Sequence, residues 1–349
     1  MVRPGATARE ARRPVASAAS GASSVRHHYR TVDNVRLHWA ELGEKSNRTP
    51  VLLLHGLNDS HLTWMRVAPE LARDRRVLLL DLPGHGLSER PDASYALAWY
   101  ARVIALWLEA LKIDQVDIVG HSLGGGIAQV LLCECRSRIR RLVLAAPGGL
   151  GQDIAFVLRL ASLPIVVERF GQPFMAAGTR LALGRWGARL AAEHVAGVGA
   201  MNARGGTARA FSRTVRDLID WRGQRHSFFQ RAHEIAELPP ILLLWGDRDA
   251  IIPVAHGENM ARSVEGVRFL ILAGCGHYLH HDDPESFLQA VREGLDAPSW
   301  PTMRFCSAES PGRTKGGSAV LRDESPARNQ AVTSQGGALR GLRVGGGES

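Results

Sequence analysis

The sequence predicts an α/β fold, a mostly parallel eight-stranded sheet flanked by helices and interrupted by an inserted α-helical cap. Three observations lead there. Between residues 27 and 297, six short β-branched or leucine-rich runs alternate with amphipathic stretches of helical length, the pattern of a parallel sheet covered by helices. Two further runs ahead of them flank a tight turn. Between Pro147 and Pro239 the alternation stops for about ninety residues that contain helical patches and no convincing buried strand.

In chain order, residues 28–31 and 36–40 lie on either side of Asp33 and Asn34, which reads as a hairpin on the sheet edge. Buried strands follow at 51–54, 77–80, 116–119, 142–144, 241–244 and 269–272. Helices are expected in the gaps, at 60–72, 95–111, 123–136, 254–264 and 283–295. Residues 27–147 and 239–297 therefore form the core, and 148–238 the helical cap. No internal repeat of fixed period is present.

The chain has 349 residues, 45% apolar and 22% charged, an ordinary globular composition that excludes a fibrous, collagen-like or wholly disordered protein. Its four cysteines, Cys133, Cys135, Cys275 and Cys306, form neither a disulfide framework nor a CxxC pair. A reducing, cytoplasmic location is the expectation. No apolar run reaches the ~18 to 20 residues of a membrane span, the nearest, 154–167, being interrupted by Arg159; no integral membrane segment is expected.

The net charge of +9 is concentrated at the ends. Residues 1–26 carry five Arg against Glu10, and residues 298–349 carry seven Lys and Arg against four acids, so the tails hold +7. Both are rich in Arg, Gly, Ser, Ala and Pro, and read as disordered because they lack the apolar surface to offset the entropy of ordering. No nucleic-acid partner is predicted. The cap carries twelve Arg, no Lys and seven acids, or +5, which leaves a core of −3.

The segment 116–126, VDIVGHSLGGG, runs from a buried strand through GxSxG into a helix starting near Leu123. Gly120 and Gly124 permit a sharp turn and a close strand–helix approach, so that Ser122 projects at the strand's carboxyl end beside a helix N-terminus. A serine hydroxyl is a weak nucleophile and needs a base, usually a histidine oriented by a carboxylate. Candidates lie downstream: GDRDAIIP after one strand offers Asp247 and Asp249, and AGCGHYLHHDDPE after the next offers His277, His280 and His281. Gly274 and Gly276 make the loop permissive before His277, whereas His280 and His281 precede a helix start at Asp282, Asp283 and Pro284. The HxxHHDD run could ligate a metal, but metal sites draw ligands from several elements, and no metal is expected. Either aspartate could face the imidazole.

Four motifs in order resemble the α/β-hydrolase family across residues 27–297. VLLLHGLNDS resembles its oxyanion loop, DLPGHGLS the turn after its fourth strand, GHSLGG its nucleophile elbow, and GDRD with GCGH its acid and base loops. The resemblance implies a Ser122, Asp249, His277 triad, with the backbone amides of Leu57 and Leu123 as the oxyanion hole. Asp247 is then left to bond turn amides. The implied activity is a serine hydrolase acting on a small-molecule carboxylic ester, thioester, lactone or amide through an acyl-enzyme, without a cofactor. Ser122 at the nucleophile position departs from haloalkane dehalogenases and epoxide hydrolases, which place Asp there, and HGLNDS lacks the HGxGPGA loop of carbon–carbon bond hydrolases. An acyltransferase or perhydrolase could use the same triad, and a non-catalytic ligand receptor could share the fold. The twelve cap arginines leave open a carboxylated or phosphorylated acyl substrate, but helix-borne Arg are mostly solvated, and a neutral or apolar ester is the expectation. His55, His85 and His121 are expected to shape loops, Cys133 and Cys135 to be ordinary thiols, and the cap aromatics Phe156, Phe170, Phe174, Trp186, Phe211, Trp221, Phe228 and Phe229 to form the cap's own core, a few of them lining the cleft.

Overall fold

The computed structural model describes residues 24–162, 166–187, 189–231, 235, 237–305 and the backbone of 319–321. The first two strands, β1 (Arg26–Val32) and β2 (Val35–Leu42), form an antiparallel hairpin. Asp33 and Asn34 take positive φ of 48° and 59°, the pair of left-handed residues that matches a two-residue turn to the strand twist. Next come β3 (Val51–Leu54), β4 (Val77–Leu80), β5 (Val116–His121), β6 (Ile139–Ala145), β7 (Ile241–Gly246) and β8 (Arg268–Leu272). These six pair in parallel, and β2 joins β4 antiparallel. Every residue of β3, β4 and β5 is buried, which is why these strands are apolar at consecutive positions.

A ninth strand, β9 (Ala319–Leu321), joins the edge beside β8, giving the order β1-β2-β4-β3-β5-β6-β7-β8-β9. It lies within 298–349, which the composition reads as disordered. Residues 304–305, in the same stretch, pair with 264–265. Three apolar residues among Gly, Ser and Arg are too short a run to stand out in sequence, yet the open edge of β8 offers them unpaired backbone groups. Trp300 of the same stretch donates its Nε1–H to Gly266 O (3.0 Å), whereas residues 1–23, 306–318 and 322–349, Cys306 included, lie outside the described residues.

The main helices are α1 (Leu97–Ala110), α2 (Leu123–Glu134), α3 (Met175–Trp186), α4 (Ala192–Asn202), α5 (Thr207–Leu218), α6 (Ala255–Ser263) and α7 (Pro284–Asp296). Asp283 caps α7 through a bond from Ser286 N to its Oδ1 (3.0 Å), with Pro284 in the first turn. The helix expected over 60–72 is instead a 3₁₀ turn at His61–Trp64 and a single α-turn at Ala68–Leu71. Pro69 has no N–H to give the carbonyl of Met65, so a continuous helix breaks there.

Between β6 and β7 lie α3, α4 and α5 together with short helical turns at Phe156–Ala161, Val166–Phe170 and Phe228–Arg231. The interval expected to be helical also holds a 3₁₀ turn at Gln172–Phe174 and a short antiparallel pair, Ile219–Asp220 with Gly223–Gln224, which that expectation does not include. Its aromatics divide: Phe228 is buried in the core and Trp186 and Phe229 pack against it, whereas Phe156, Phe170, Phe174 and Trp221, also expected inside, are 60%, 64%, 71% and 60% exposed. Helical turns of four to six residues turn one narrow side inward, as Leu158 does, and leave the other in solvent. No helix among the described residues is long and apolar enough to cross a membrane.

Candidate active site

Ser122 stands between β5 and α2 with φ 52° and ψ −115°, a strained conformation for a side chain with a Cβ. Backbone bonds hold it: its N–H donates to Ala145 O (3.0 Å), and its carbonyl accepts from Gly126 N and Gly148 N (both 3.1 Å). The turn also requires Gly124, where a Cβ would sit 2.3 Å from Leu54 O. The loop after β3 closes on the same point, since a Cβ on Gly56 would lie 3.3 Å from Ser122 Cβ.

His55 shapes that loop. Its Nδ1 donates to Gly56 O (2.8 Å) and its Nε2 accepts Leu82 N (3.0 Å), tying the loop to the turn after β4. Burial lowers its pKa, consistent with the neutral tautomer these bonds require. Beyond it, inserted helices grip the next residues. Asn58 donates to Thr179 Oγ1 of α3 (2.7 Å), Asn202 of α4 donates to Asn58 O (2.8 Å), and His194 of α4 lies 3.3 Å from the Asp59 carboxylate.

The loops expected to carry the acid and the base follow β7 and β8. Asp249 Oδ2 accepts from His277 Nδ1 (2.8 Å), and its Oδ1 accepts from Ile251 N (2.8 Å) and Ile252 N (3.0 Å). Burial acts to raise this carboxyl's pKa, but the His277 imidazole and the two amides outweigh it and hold the group below its usual value. Asp247 Oδ1 instead accepts Gly274 N (2.7 Å). His280 and His281 turn away toward Thr63 Oγ1, at 2.8 and 3.3 Å.

His121 bridges the elbow to the base loop. Its Nε2 donates to His277 O (2.9 Å), and the two rings are 4.8 Å apart. Burial and the neighbouring His277 push its pKa down to about 3, so it is a neutral donor. Among the described contacts none joins Ser122 Oγ to an imidazole nitrogen; bonds of that kind are often long without substrate.

Ser122, Leu57 and Leu123 share the wall of one cavity enclosing about 890 Å³, its open mouth included. The α2 side offers Leu123, Gly126, Val130 and Cys133, the insertion offers Ile154, Leu158, Leu218, Ile219 and Phe228, and the acid loop offers Ile251 and Ile252. Its glutamines are engaged with backbone. Gln129 Nε2 donates to Gly125 O and Gly148 O (3.1 and 2.7 Å), and Gln224 Oε1 accepts Gly149 N (2.8 Å). His226, Ser227, Gln230 and Arg231 add polar groups from the insertion, but most of the wall is apolar. From Ser122 to Cys133 it follows α2 for roughly 16 Å, at ~1.5 Å per residue. The spacing of Leu123, Gly126, Val130 and Cys133 marks one helix face in the sequence, but nothing there shows that it meets a void rather than packed core.

One group among the described residues could hold a metal ion, the buried His38, His61 and Asp81. Asp81 already accepts bonds from both imidazoles and from the amides of His61 and Leu87. The cluster fits a satisfied buried carboxylate.

Comparison with known proteins gives a consistent picture. The family described as alpha/beta hydrolase fold matches residues 49–284. An uncharacterised protein of Mycobacterium tuberculosis is 34% identical over 267 residues, 70% of this chain and 75% of that protein. The 2-hydroxy-6-oxo-2,4-heptadienoate hydrolase of Pseudomonas putida is 26% identical over 262 residues, 71% of this chain and 89% of the relative. Among solved structures, a hydrolase from Pseudomonas aeruginosa superposes with a TM-score of 0.64 at 27% identity, covering 78% of this chain and 98% of the other.

Proposed function

Because the chain belongs to the α/β-hydrolase family, we propose that it is a serine hydrolase cleaving a carboxylic ester or related acyl bond through an acyl-enzyme. The observation that carries this reading is the Asp249–His277 bond, on loops that follow parallel strands, with Ser122 in a strained elbow on the wall of an apolar cavity. His277 Nε2 takes the Ser122 proton as Oγ attacks the acyl carbon, then delivers it to the leaving alkoxide, thiolate or amine. Water activated by the same nitrogen releases the acid and restores Ser122. Asp249 holds His277 Nδ1–H and stabilises the transient imidazolium.

The tetrahedral oxyanion is assigned to the amides of Leu57 and Leu123. Leu123 opens α2, where first-turn N–H groups have no partner within the helix. Each such donor is worth roughly 3 to 4 kcal/mol of transition-state stabilisation.

Residues 148–238 act as the cap that selects substrate. The cavity wall as a whole is mainly apolar, with His226 and Arg231 of the insertion also on it; the apolar surface favours a neutral acyl group over a carboxylated one. The test is reaction with an alkyl fluorophosphonate. A covalent adduct on the peptide containing Ser122, absent from Ser122→Ala, is expected; an unmodified serine would reject the reading. A screen of acyl chain lengths with and without a terminal carboxylate then defines the substrate.

A further inference from the structure

We propose that the outer face of residues 156–222 docks onto an anionic lipid surface. The first observation is where exposed apolar surface sits. Of ten large apolar side chains exposed among the described residues, eight belong to the inserted segment, including Phe156, Leu160, Val166, Phe170, Phe174 and Trp221. Single exposed apolar residues are common, but a concentration of this kind on one segment marks an interaction surface.

These side chains are neighbours in space. The turns Phe156–Ala161 and Val166–Phe170 both pack on α5. Phe156 and Trp221 meet edge to face, with ring centroids 5.8 Å apart. Arginine is interleaved with them: Arg169 precedes Phe170 and Arg222 follows Trp221, both exposed. Residues 156–222 carry ten Arg and no Lys against four acids, and although Glu168 pairs with Arg213 and Arg216, the segment keeps a net positive charge.

That charge identifies the occupant. A second copy of the chain docking through this face would set cationic surface against cationic surface, because a two-fold interface uses the same patch on both subunits. An anionic bilayer reverses the sign. It accepts Phe and Trp at the headgroup boundary and attracts the arginines around them.

The face also borders the cavity. Leu158, on the helical turn that exposes Phe156 and Leu160, lines it, as does Ile219, two residues before Trp221. On the proposed acyl-hydrolase reading, a docked molecule would have a short path for an acyl chain from the lipid to Ser122. Docking itself requires no catalysis.

The test is co-sedimentation of the full chain with vesicles of phosphatidylcholine alone and of phosphatidylcholine mixed with phosphatidylglycerol, at low and raised salt. The expected result is binding to the mixed vesicles that weakens with salt. Arg169→Gln and Arg222→Gln should each weaken it about fivefold, and Phe170→Ser combined with Phe174→Ser should reduce it further, with unchanged circular dichroism. Ser122→Ala should bind like the wild type, so vesicle binding stands or falls separately from the catalytic assignment. Absence of binding to either vesicle, or equal binding to both by wild type and variants, overturns the proposal. So does a concentration-dependent dimer that Phe170→Ser dissociates while vesicles are ignored, which would assign the face to a second copy.

Discussion

Asp249 Oδ2 lies 2.8 Å from His277 Nδ1, while the carboxylate of Asp247, two residues earlier, faces the amide of Gly274. The two acids of GDRD thus have separate partners. Asp249→Asn should lower kcat by about 10⁴, because the amide favours the wrong imidazole tautomer. Asp247→Asn should leave kcat within a few-fold and cost about 1 kcal/mol of stability. Side-by-side kinetics and urea unfolding of the two variants decide the assignment, and the reverse ranking refutes it.

Gly124 and Gly178 should respond to alanine with opposite signs. A Cβ at Gly124 meets Leu54 O at 2.3 Å, whereas at Gly178 in α3 it meets nothing within 4 Å. Gly178→Ala should gain up to ~1 kcal/mol from helix propensity. Gly124→Ala should lose about 1 to 3 kcal/mol or more through overpacking against backbone. Denaturant midpoints measure both.

Strand positions and the order of the site loops were legible because a doubly covered parallel sheet demands consecutive apolar residues, and the turns after such strands demand Gly, Asp and Ser at few positions. The preference for Asp249 came from family resemblance, since side-chain direction within a two-residue interval depends on loop geometry that spacing does not encode. The cavity wall on α2 was hidden for a related reason, a helix face looking the same in sequence whether it meets a partner or a void. The exposed Phe156, Phe170 and Trp221 were misread as core. Apolar identity alone does not separate a buried aromatic from one left outside by a short helix, as at Phe156 and Phe170, or by a tight turn, as at Trp221. β9 was missed because its pairing comes from the free edge of β8 rather than from its own residues.

His194 and Asp59 join an inserted helix to the loop bearing Leu57, 3.3 Å apart and buried. Burial opposes charge on both. The carboxylate nevertheless raises the His194 pKa above 6.5, and the imidazolium with its neighbours lowers Asp59 to about 2. The His194 contribution is therefore full below pH 6.5 and fades as pH rises through its raised value; the Asp59 contribution is full above pH 3.8 and fades as pH falls toward 2. A double-mutant cycle of Asp59→Asn and His194→Gln should give a coupling of about 0.5 to 3 kcal/mol at pH 6 and less at pH 9. Coupling that is unchanged or larger at pH 9 contradicts this account.

Because the proposed oxyanion donors are main-chain groups, Leu57→Ala should alter KM or acyl-chain preference while retaining most of kcat. A structure with a phosphonate on Ser122 should place the Leu57 and Leu123 N–H groups about 2.7 to 3.1 Å from its oxygen. An amide turned away from that oxygen requires another donor.

Turnover of a short-chain p-nitrophenyl ester by the wild type and by Ser122→Ala tests the central claim most directly. The account predicts measurable wild-type hydrolysis and a fall in kcat on the order of 10⁴ to 10⁶ on removing the hydroxyl, with the variant's thermal unfolding close to the parent's. Near-normal turnover by Ser122→Ala would show that the chemistry lies elsewhere.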